Sequence, residues 1–269
     1  MSQTKLIAEI GANHMGDMGL AEEMIAAAKE SGADLVKFQT WSVDRLKPGV
    51  WDSDGRRQIY EKAELTVDRH FRLREYCDQI GISFFSSVFS VEDARILSVV
   101  ERDIVKIPSM ESRNKELIDY CGQYFDKVMV STGTSTLEEI VESCSGVPRD
   151  KLVLLHCVSS YPCDFESVNL PRLEAFGRKY SDHIGFSDHS MGIEASVLAL
   201  RYDLDYIEKH FTTDNNLPGR DNRFAILPDQ MKRLKEFIDI NEKVLIDKGT
   251  DYQSCEKDSR ENYTGRWDG

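Results

Sequence analysis

The chain has 269 residues, 41% hydrophobic and 30% charged, and its 34 Lys and Arg against 47 Asp and Glu give a formal net charge of −13. It is long enough to bury a full core as one domain of roughly 250 residues, while no stretch approaches the ~18 consecutive apolar residues of a bilayer span, which excludes a helical membrane protein. The negative charge disfavours nucleic acid or an anionic lipid surface as partner, so any bound phosphate must be held by cations placed locally.

The first residues, Met1-Ser2-Gln3-Thr4-Lys5, lead into an apolar run too short for the hydrophobic region of a signal peptide, and no small-residue cleavage site follows. A cytoplasmic protein is expected. Six cysteines, Cys77, Cys121, Cys144, Cys157, Cys163 and Cys255, are scattered without a CxxC pair, a pattern that predicts free thiols rather than a disulfide frame or a zinc site.

Eight short β-rich runs are predicted in chain order: Leu6–Gly11, Asp34–Thr40, Ser83–Phe89, Ile104–Ser109, Lys127–Gly133, Leu152–Val158, His183–His189 and Tyr206–Thr212. Most are continuously hydrophobic, as strands buried on both faces of a parallel sheet are. Helical patterns fill the gaps at Leu20–Ser31, Asp68–Ile80, Val91–Val100, Asn114–Tyr124, Thr136–Cys144, Leu170–Tyr180, Gly192–Arg201 and Pro228–Asp247. Eight β-then-α units predict an α/β protein, a single-domain (β/α)₈ TIM barrel, where an open doubly wound sheet would use five or six strands. The barrel is expected over residues 1–247, with a polar tail over 248–269. The long gap Trp41–Val67, which holds Pro48-Gly49, reads as a functional lid.

A barrel places chemistry at the C-terminal ends of its strands, and polar residues gather there: Glu9, Lys37 and Gln39, Ser87, Lys106 with Ser109 and Glu111, Ser131, His156, Ser187 to His189, and Glu208 to His210. Alternation along a strand puts Lys37 with Gln39, Ser187 with His189 and Glu208 with His210 on shared faces. One polar strand end is ordinary; eight, with charges inside apolar runs, point to a site, because an unpaired buried charge is costly.

His189 and His210 fall at equivalent positions of consecutive strands, about 4.8 Å apart. They can share a divalent metal acting as a Lewis acid, or each can be a neutral hydrogen-bonded residue of a polar mouth. Lys37 and Lys106, with Ser87, Ser109, Ser131 and Ser187, suit a small multi-anionic substrate; either lysine could instead form a Schiff base, as in covalent aldolases. Glu9, in an Ile- and Leu-rich run, is a candidate for proton chemistry with a raised pKa or a structural ion-pair partner of Lys37. Asp188 reads as an orienting residue and Cys157 as a buried small hydrophobe.

The strings Ile7-Ala8-Glu9-Ile10-Gly11-Ala12-Asn13-His14-Met15-Gly16, Val36-Lys37-Phe38-Gln39-Thr40, Lys106-Ile107-Pro108-Ser109, Val130-Ser131-Thr132-Gly133, Leu155-His156-Cys157 through Tyr161-Pro162, Gly185-Phe186-Ser187-Asp188-His189 and Glu208-Lys209-His210-Phe211-Thr212 together resemble the sialic acid synthase family, in order, from about residue 6 to about residue 228. The resemblance implies a (β/α)₈ barrel that condenses phosphoenolpyruvate with an N-acylated amino sugar such as N-acetylmannosamine, giving a nonulosonic acid and phosphate with help from Mn²⁺ or Mg²⁺. It implies His189 and His210 as metal ligands. Lys37, Ser87, Lys106, Ser109, Ser131 and Ser187 would bind phosphoenolpyruvate, Ser87 standing where threonine is common. Glu9 would handle a proton or water, and Gln39, Glu111, Tyr161 and Asp221 would contact the sugar.

Two departures accompany the match. Pro218-Gly219-Arg220-Asp221-Asn222 carries asparagine where the family often has histidine. Typical members also continue into a C-terminal antifreeze-like domain that covers the partner subunit's site and supplies an arginine, whereas the present sequence runs to Gly269. The expectation is a homo-oligomer or a lid from a separate chain, with a different substrate or a non-catalytic barrel that binds a ligand or partner as alternatives.

Overall fold

The computed structural model describes residues 4–267. Eight strands, β1 (Lys5–Glu9), β2 (Leu35–Thr40), β3 (Ser83–Val88), β4 (Ile104–Ile107), β5 (Lys127–Ser131), β6 (Leu152–His156), β7 (His183–Asp188) and β8 (Tyr206–His210), pair in sequence order and close into a barrel. All eight pairings are parallel, β8 returning to β1 with Glu9 opposite His210. The expected (β/α)₈ architecture is the one observed.

Helices α1 (Met18–Glu30), α2 (Arg56–Ala63), α3 (Val67–Ile80), α4 (Val91–Val100), α5 (Lys115–Tyr124), α6 (Leu137–Ser143), α7 (Arg172–Tyr180), α8 (Glu194–Ala199), α9 (Pro228–Val244) and α10 (Lys257–Asn262) complete the order. Asp17, Thr66, Ser90, Asn114 and Thr136 cap α1, α3, α4, α5 and α6 through their side chains. These caps satisfy the free N–H groups of each first turn and fix where each loop after a strand ends.

Side-chain alternation divides the core in two. Residues such as Leu6, Ala8, Val36, Phe38 and Val105 point outward and pack with the helices. Ile7, Leu35, Phe85, Met129, Val153, Leu155 and Tyr206 point inward and form a separate buried cluster, which closes the lower barrel as an apolar plug. Gly185 makes room for it: a Cβ there would stand 2.5 Å from Leu155 Cδ2 and 2.6 Å from the Tyr206 carbonyl. The next inward position along the strands is polar on β1, β2, β3, β4, β5, β7 and β8, and these are the residues of the site.

Several strands end earlier than their apolar runs suggest. β1 stops at Glu9, not Gly11, because the Ile10 and Gly11 N–H groups both turn onto the Lys37 carbonyl, at 2.9 and 3.1 Å, and Gly11 takes φ +52°. β4 stops at Ile107, before Pro108, and Ser109 to Glu111 form a 3₁₀ turn. The long segment after β2 holds 3₁₀ turns at Val43–Arg45 and Val50–Asp52 and the helix α2. Trp41 donates to the Tyr60 carbonyl at 3.2 Å and meets the Tyr60 ring edge-on. Among the described residues no helix is long and apolar enough to cross a membrane.

Candidate active site

Four charged groups meet just above the apolar plug. Lys37 on β2 sits 2.7 Å from Glu9 Oε2 on β1, donates to Ser87 Oγ on β3 at 2.9 Å and lies 3.8 Å from Glu208 Oε2. Lys106 on β4 reaches across the barrel and donates to both oxygens of Glu208 on β8 at 2.9 Å. Ser187 on β7 donates to Glu208 Oε1 at 2.8 Å, and Gln39 donates to Glu9 Oε1 at 2.6 Å. All four charged residues are buried. Such pairs contribute little net stability against their desolvation cost, so their presence is accounted for better by chemistry than by folding.

The charges do not balance symmetrically. Burial would raise Glu208, but the two lysines overcome this and hold it well below the usual carboxylate range. For Glu9 burial dominates over the opposing Lys37 charge, and its pKa is pushed up to about 7. Burial would lower Lys37, yet Glu208 and Glu9 keep it above its ordinary value; Lys106, with Glu208 as its main anion, is lowered by burial. A proton on Glu9 therefore leaves two cations facing one carboxylate, a cluster with net positive charge inside a strongly acidic protein.

The two imidazoles lie beside this cluster. His189 follows directly on β7 and His210 ends β8; the register Asp188 opposite Lys209 makes them neighbours, with ring centroids 5.6 Å apart. The Val158 carbonyl accepts from His189 Nδ1 at 2.8 Å, which leaves Nε2 with its lone pair, the arrangement a metal-binding histidine has. Burial lowers the His189 pKa to about 4 and lowers His210 well below its ordinary value, with His189 and Lys37 adding to the effect. Both rings are neutral. His210 Nδ1 is buried without a hydrogen-bond partner among the described residues, 3.7 Å from Asp221 Oδ2. Neutral, paired imidazoles with an uncommitted nitrogen fit a divalent ion. Among the described residues no group of three or more His, Cys, Asp or Glu is placed to hold a metal ion by itself, so the remaining coordination positions would fall to substrate or water.

An aromatic wall flanks the histidines. The Tyr161 ring lies 4.3 Å from His189 and 6.1 Å from His210, and Phe224 lies 5.0 Å from His210. Ser109 Oγ, after β4, is 3.0 Å from the Cys157 thiol. Ser131 is buried on β5 in register with Leu155, on the inward face.

Some strand-end residues go elsewhere. Glu111, expected to contact the sugar, sits in the turn after β4 and accepts from Asn114 Nδ2 at 2.9 Å, so it serves the start of α5. His156 points outward: its Nε2 donates to the Val168 carbonyl at 2.8 Å and its ring stacks on Phe186. Asp188 also faces out. It accepts from Ser190, Ser196 and Lys209 at 2.6 to 3.2 Å and so braces the turn that carries His189, the orienting part expected of it. Asn222 is fully buried; it accepts from Thr212 Oγ1 at 2.5 Å and donates to the Asn13 and Pro218 carbonyls at 3.3 and 2.8 Å. It ties the β8 loop to the β1 loop. Glu208 is the central group that sequence reasoning left without a role; its place on the His210 face was the available signal.

These observations agree with comparisons across known proteins. A family model described as the NeuB family matches residues 24–250. The chain is 36% identical over 258 residues to N,N'-diacetyllegionaminic acid synthase of Legionella pneumophila, covering 89% of this chain and 72% of that protein. It is 33% identical over 256 residues to pseudaminic acid synthase of Campylobacter jejuni, covering 90% and 75%. The solved structure of an N-acetylneuraminic acid (sialic acid) synthetase from Leptospira borgpetersenii superposes with a TM-score of 0.86 at 30% identity, covering 97% of this chain and 91% of that one. The chain belongs to the NeuB family.

Proposed function

We propose that this protein condenses phosphoenolpyruvate with an N-acyl amino sugar to form a nonulosonic acid and inorganic phosphate. The observation that carries the reading is the buried Lys37–Glu208–Lys106 bridge beside two neutral histidines, in a family whose relatives are named as legionaminic and pseudaminic acid synthases. In the reaction the C3 carbon of phosphoenolpyruvate bonds to the aldehyde carbon of the open-chain sugar. Water adds at C2, and the C2–O bond to phosphate breaks as the ketone forms.

Lys37 and Lys106, with Ser87, Ser109, Ser131 and Ser187, hold the phosphate and carboxylate and act by position and charge. Glu9, poised near neutrality, accepts a proton from the water that adds at C2, and Gln39 orients its carboxylate. Gln39, Glu111, Tyr161 and Asp221 line the side where the sugar would lie, Glu111 keeping Oε1 free among the described residues while its Oε2 accepts from Asn114. A divalent ion, Mn²⁺ or Mg²⁺, held by His189 and His210 would supply Lewis-acid polarisation of the aldehyde oxygen.

The same reading sets the barrel at residues 1–247 and a separate tail at 248–269, whose described residues are nearly all exposed. A cytoplasmic setting agrees with six free cysteines, five of them buried. A second copy of the chain, or another lid-bearing protein, would pack over the mouth.

The test is phosphate release on mixing the protein with Mn²⁺, phosphoenolpyruvate and a panel of N-acyl amino sugars, with the acid product identified by mass. Release with at least one sugar is expected. Absence of release across the panel, alongside an active relative, removes the assignment. Borohydride trapping with pyruvate tests the Schiff-base reading, for which Lys106 with its lowered pKa is the better candidate; no adduct is expected, because Glu208 holds that ammonium by two hydrogen bonds.

A further inference from the structure

The segment 41–67 leaves the barrel after Thr40, the last residue of β2, and returns at Thr66, the N-cap of α3. One imidazole joins those two residues. His70, in the first turn of α3 and fully buried, has Nε2 2.8 Å from Thr40 Oγ1 and Nδ1 2.8 Å from the Thr66 carbonyl. Burial lowers its pKa, so the ring is neutral and carries one N–H. A carbonyl only accepts, which puts that proton on Nδ1 and leaves Nε2 to accept from the Thr40 hydroxyl. Thr40 Oγ1 in turn accepts from Ser86 Oγ on β3, 2.7 Å away. Each bond from Ser86 through Thr40 and His70 to Thr66 thus has a fixed direction.

The chain of bonds runs behind the site. Thr40 and Ser86 are buried on the outward faces of β2 and β3, while their neighbours Gln39 and Ser87 pair in register on the inward face. There Ser87 accepts from Lys37 and Gln39 donates to Glu9. Further rungs lace the base of the segment: Trp41 Nε1 donates to the Tyr60 carbonyl at 3.2 Å, Glu64 Oε2 accepts from the Val43 N–H at 3.0 Å, and Arg45 pairs with Asp93 on α4. The tip is tied only to itself. Among the described residues, the hydrogen bonds and ion pairs of residues 47–59 all end within 43–63, as those of Trp51 on the Lys47 carbonyl, Arg57 on Asp52 and Arg56 on Asp54 do. The tip stands on the mouth side, close enough to the β8 loop for Arg220 to act electrostatically on Asp54. A segment bonded only to itself opens at low cost, and what it opens from is the base that His70 closes.

We propose that His70 is a positioning residue: its two nitrogens clamp the ends of the segment to each other and to the β2–β3 edge, so that the tip moves over the mouth from a fixed base while Gln39 and Ser87 hold their places. That Gln39 and Ser87 serve the reaction rests on the synthase reading; the clamp itself rests on the hydrogen bonds.

Variants that cut the clamp at one link test it, read by amide hydrogen exchange of the full chain and by phosphate release from phosphoenolpyruvate with Mn²⁺ and N-acyl amino sugars. Thr40→Val replaces the hydroxyl by a methyl group and Thr40→Ser restores it. His70→Asn keeps a donor at the Nδ1 position but falls short of Thr40. Thr40→Val and His70→Asn are expected to exchange the amides of 41–67 about tenfold faster, the weight of one buried hydrogen bond, and to lose about ten- to a hundredfold in kcat/KM. Thr40→Ser is expected to stay near wild type in both. Wild-type exchange in that segment for Thr40→Val overturns the clamp whatever the activity. Acceleration spread evenly over the whole chain overturns it too, since that marks a purely structural residue, as does an unchanged kcat/KM beside a loosened segment in an active protein. If His70→Asn does not fold, Thr40→Val and Thr40→Ser decide. A segment loosened by Thr40→Val, in a protein whose wild type releases no phosphate with any sugar, overturns the synthase reading and leaves the clamp standing.

Discussion

Glu208 grips the Lys106 ammonium with both carboxylate oxygens at 2.9 Å while the same side chain stands 3.8 Å from Lys37. One anion thus spaces two cations that would otherwise repel each other inside the barrel. It gives both lysines a counter-charge inside the barrel, and on the proposed reading an anionic substrate would meet them there without rearranging the strands.

Glu208→Gln removes that anion and leaves Lys106 buried without its main counter-charge. Stability is expected to fall by about 3–5 kcal/mol, and inorganic phosphate, taking the vacated role, is expected to restore part of the loss. Thermal unfolding with and without phosphate checks this. A midpoint equal to wild type contradicts the bridging role.

Glu9 gives a pH dependence of definite sign. Burial pushes its carboxyl from the ordinary 4.5 up to about 7 in the folded protein, so the folded state holds the extra proton between those values. The associated stability is full below pH 4.5 and is lost as pH rises toward 7, on the order of 3 kcal/mol. Glu9→Gln should flatten the stability profile over that window and erase the limb near pH 7 in kcat/KM. Denaturant melts at half-unit pH steps make the comparison, and an unaltered slope would refute the assignment.

For the histidines, His189→Ala or His210→Ala should weaken Mn²⁺ binding by roughly a hundredfold or more, beyond the 10–100-fold effect of losing an outer-shell partner. Mn²⁺ electron paramagnetic resonance titration of each variant reads this directly. Ion binding unchanged in both variants would place the metal elsewhere.

Asp188 and Lys209 form a second buried pair, outside the barrel wall and at 3.2 Å. Asp188→Ala strands the lysine and frees the turn before His189, with an expected stability loss of about 3–5 kcal/mol. The double variant Asp188→Leu with Lys209→Met should recover much of it. Urea titration of the three proteins tests the coupling; additive losses would show that the pair does not act as one unit.

The barrel was legible because its strands are apolar on both faces and repeat eight times, and because the period of two places Lys37, Ser87, Lys106, Ser187 and His210 on the inward side without knowledge of the fold. What alternation cannot reveal is pairing at a distance. Glu208 and Lys106 are 102 residues apart, and only the closed sheet brings them across the barrel. His156 shows the opposite limit: it is polar and near a strand end, but its ring faces the helices and its Nε2 donates to the Val168 carbonyl. Helix α2, inside the segment expected to be a lid, has a polar sequence without an apolar stripe to announce it; its Lys62 carbonyl lies 2.0 Å from where a Gly16 Cβ would stand, so contact with the β1 loop places it. Gly133 carries no signal of its own, since the crowding by Ser109 and Ser159 that requires glycine there comes from the loops after β4 and β6.

Crystals soaked with Mn²⁺ and phosphoenolpyruvate test the central claim most directly. Density is expected for an ion between His189 and His210 and for the three-carbon acid with its anionic groups on Lys37 and Lys106. The same ligand bound away from both lysines, or an ion settled at other residues while the two imidazoles stay bare, would contradict it.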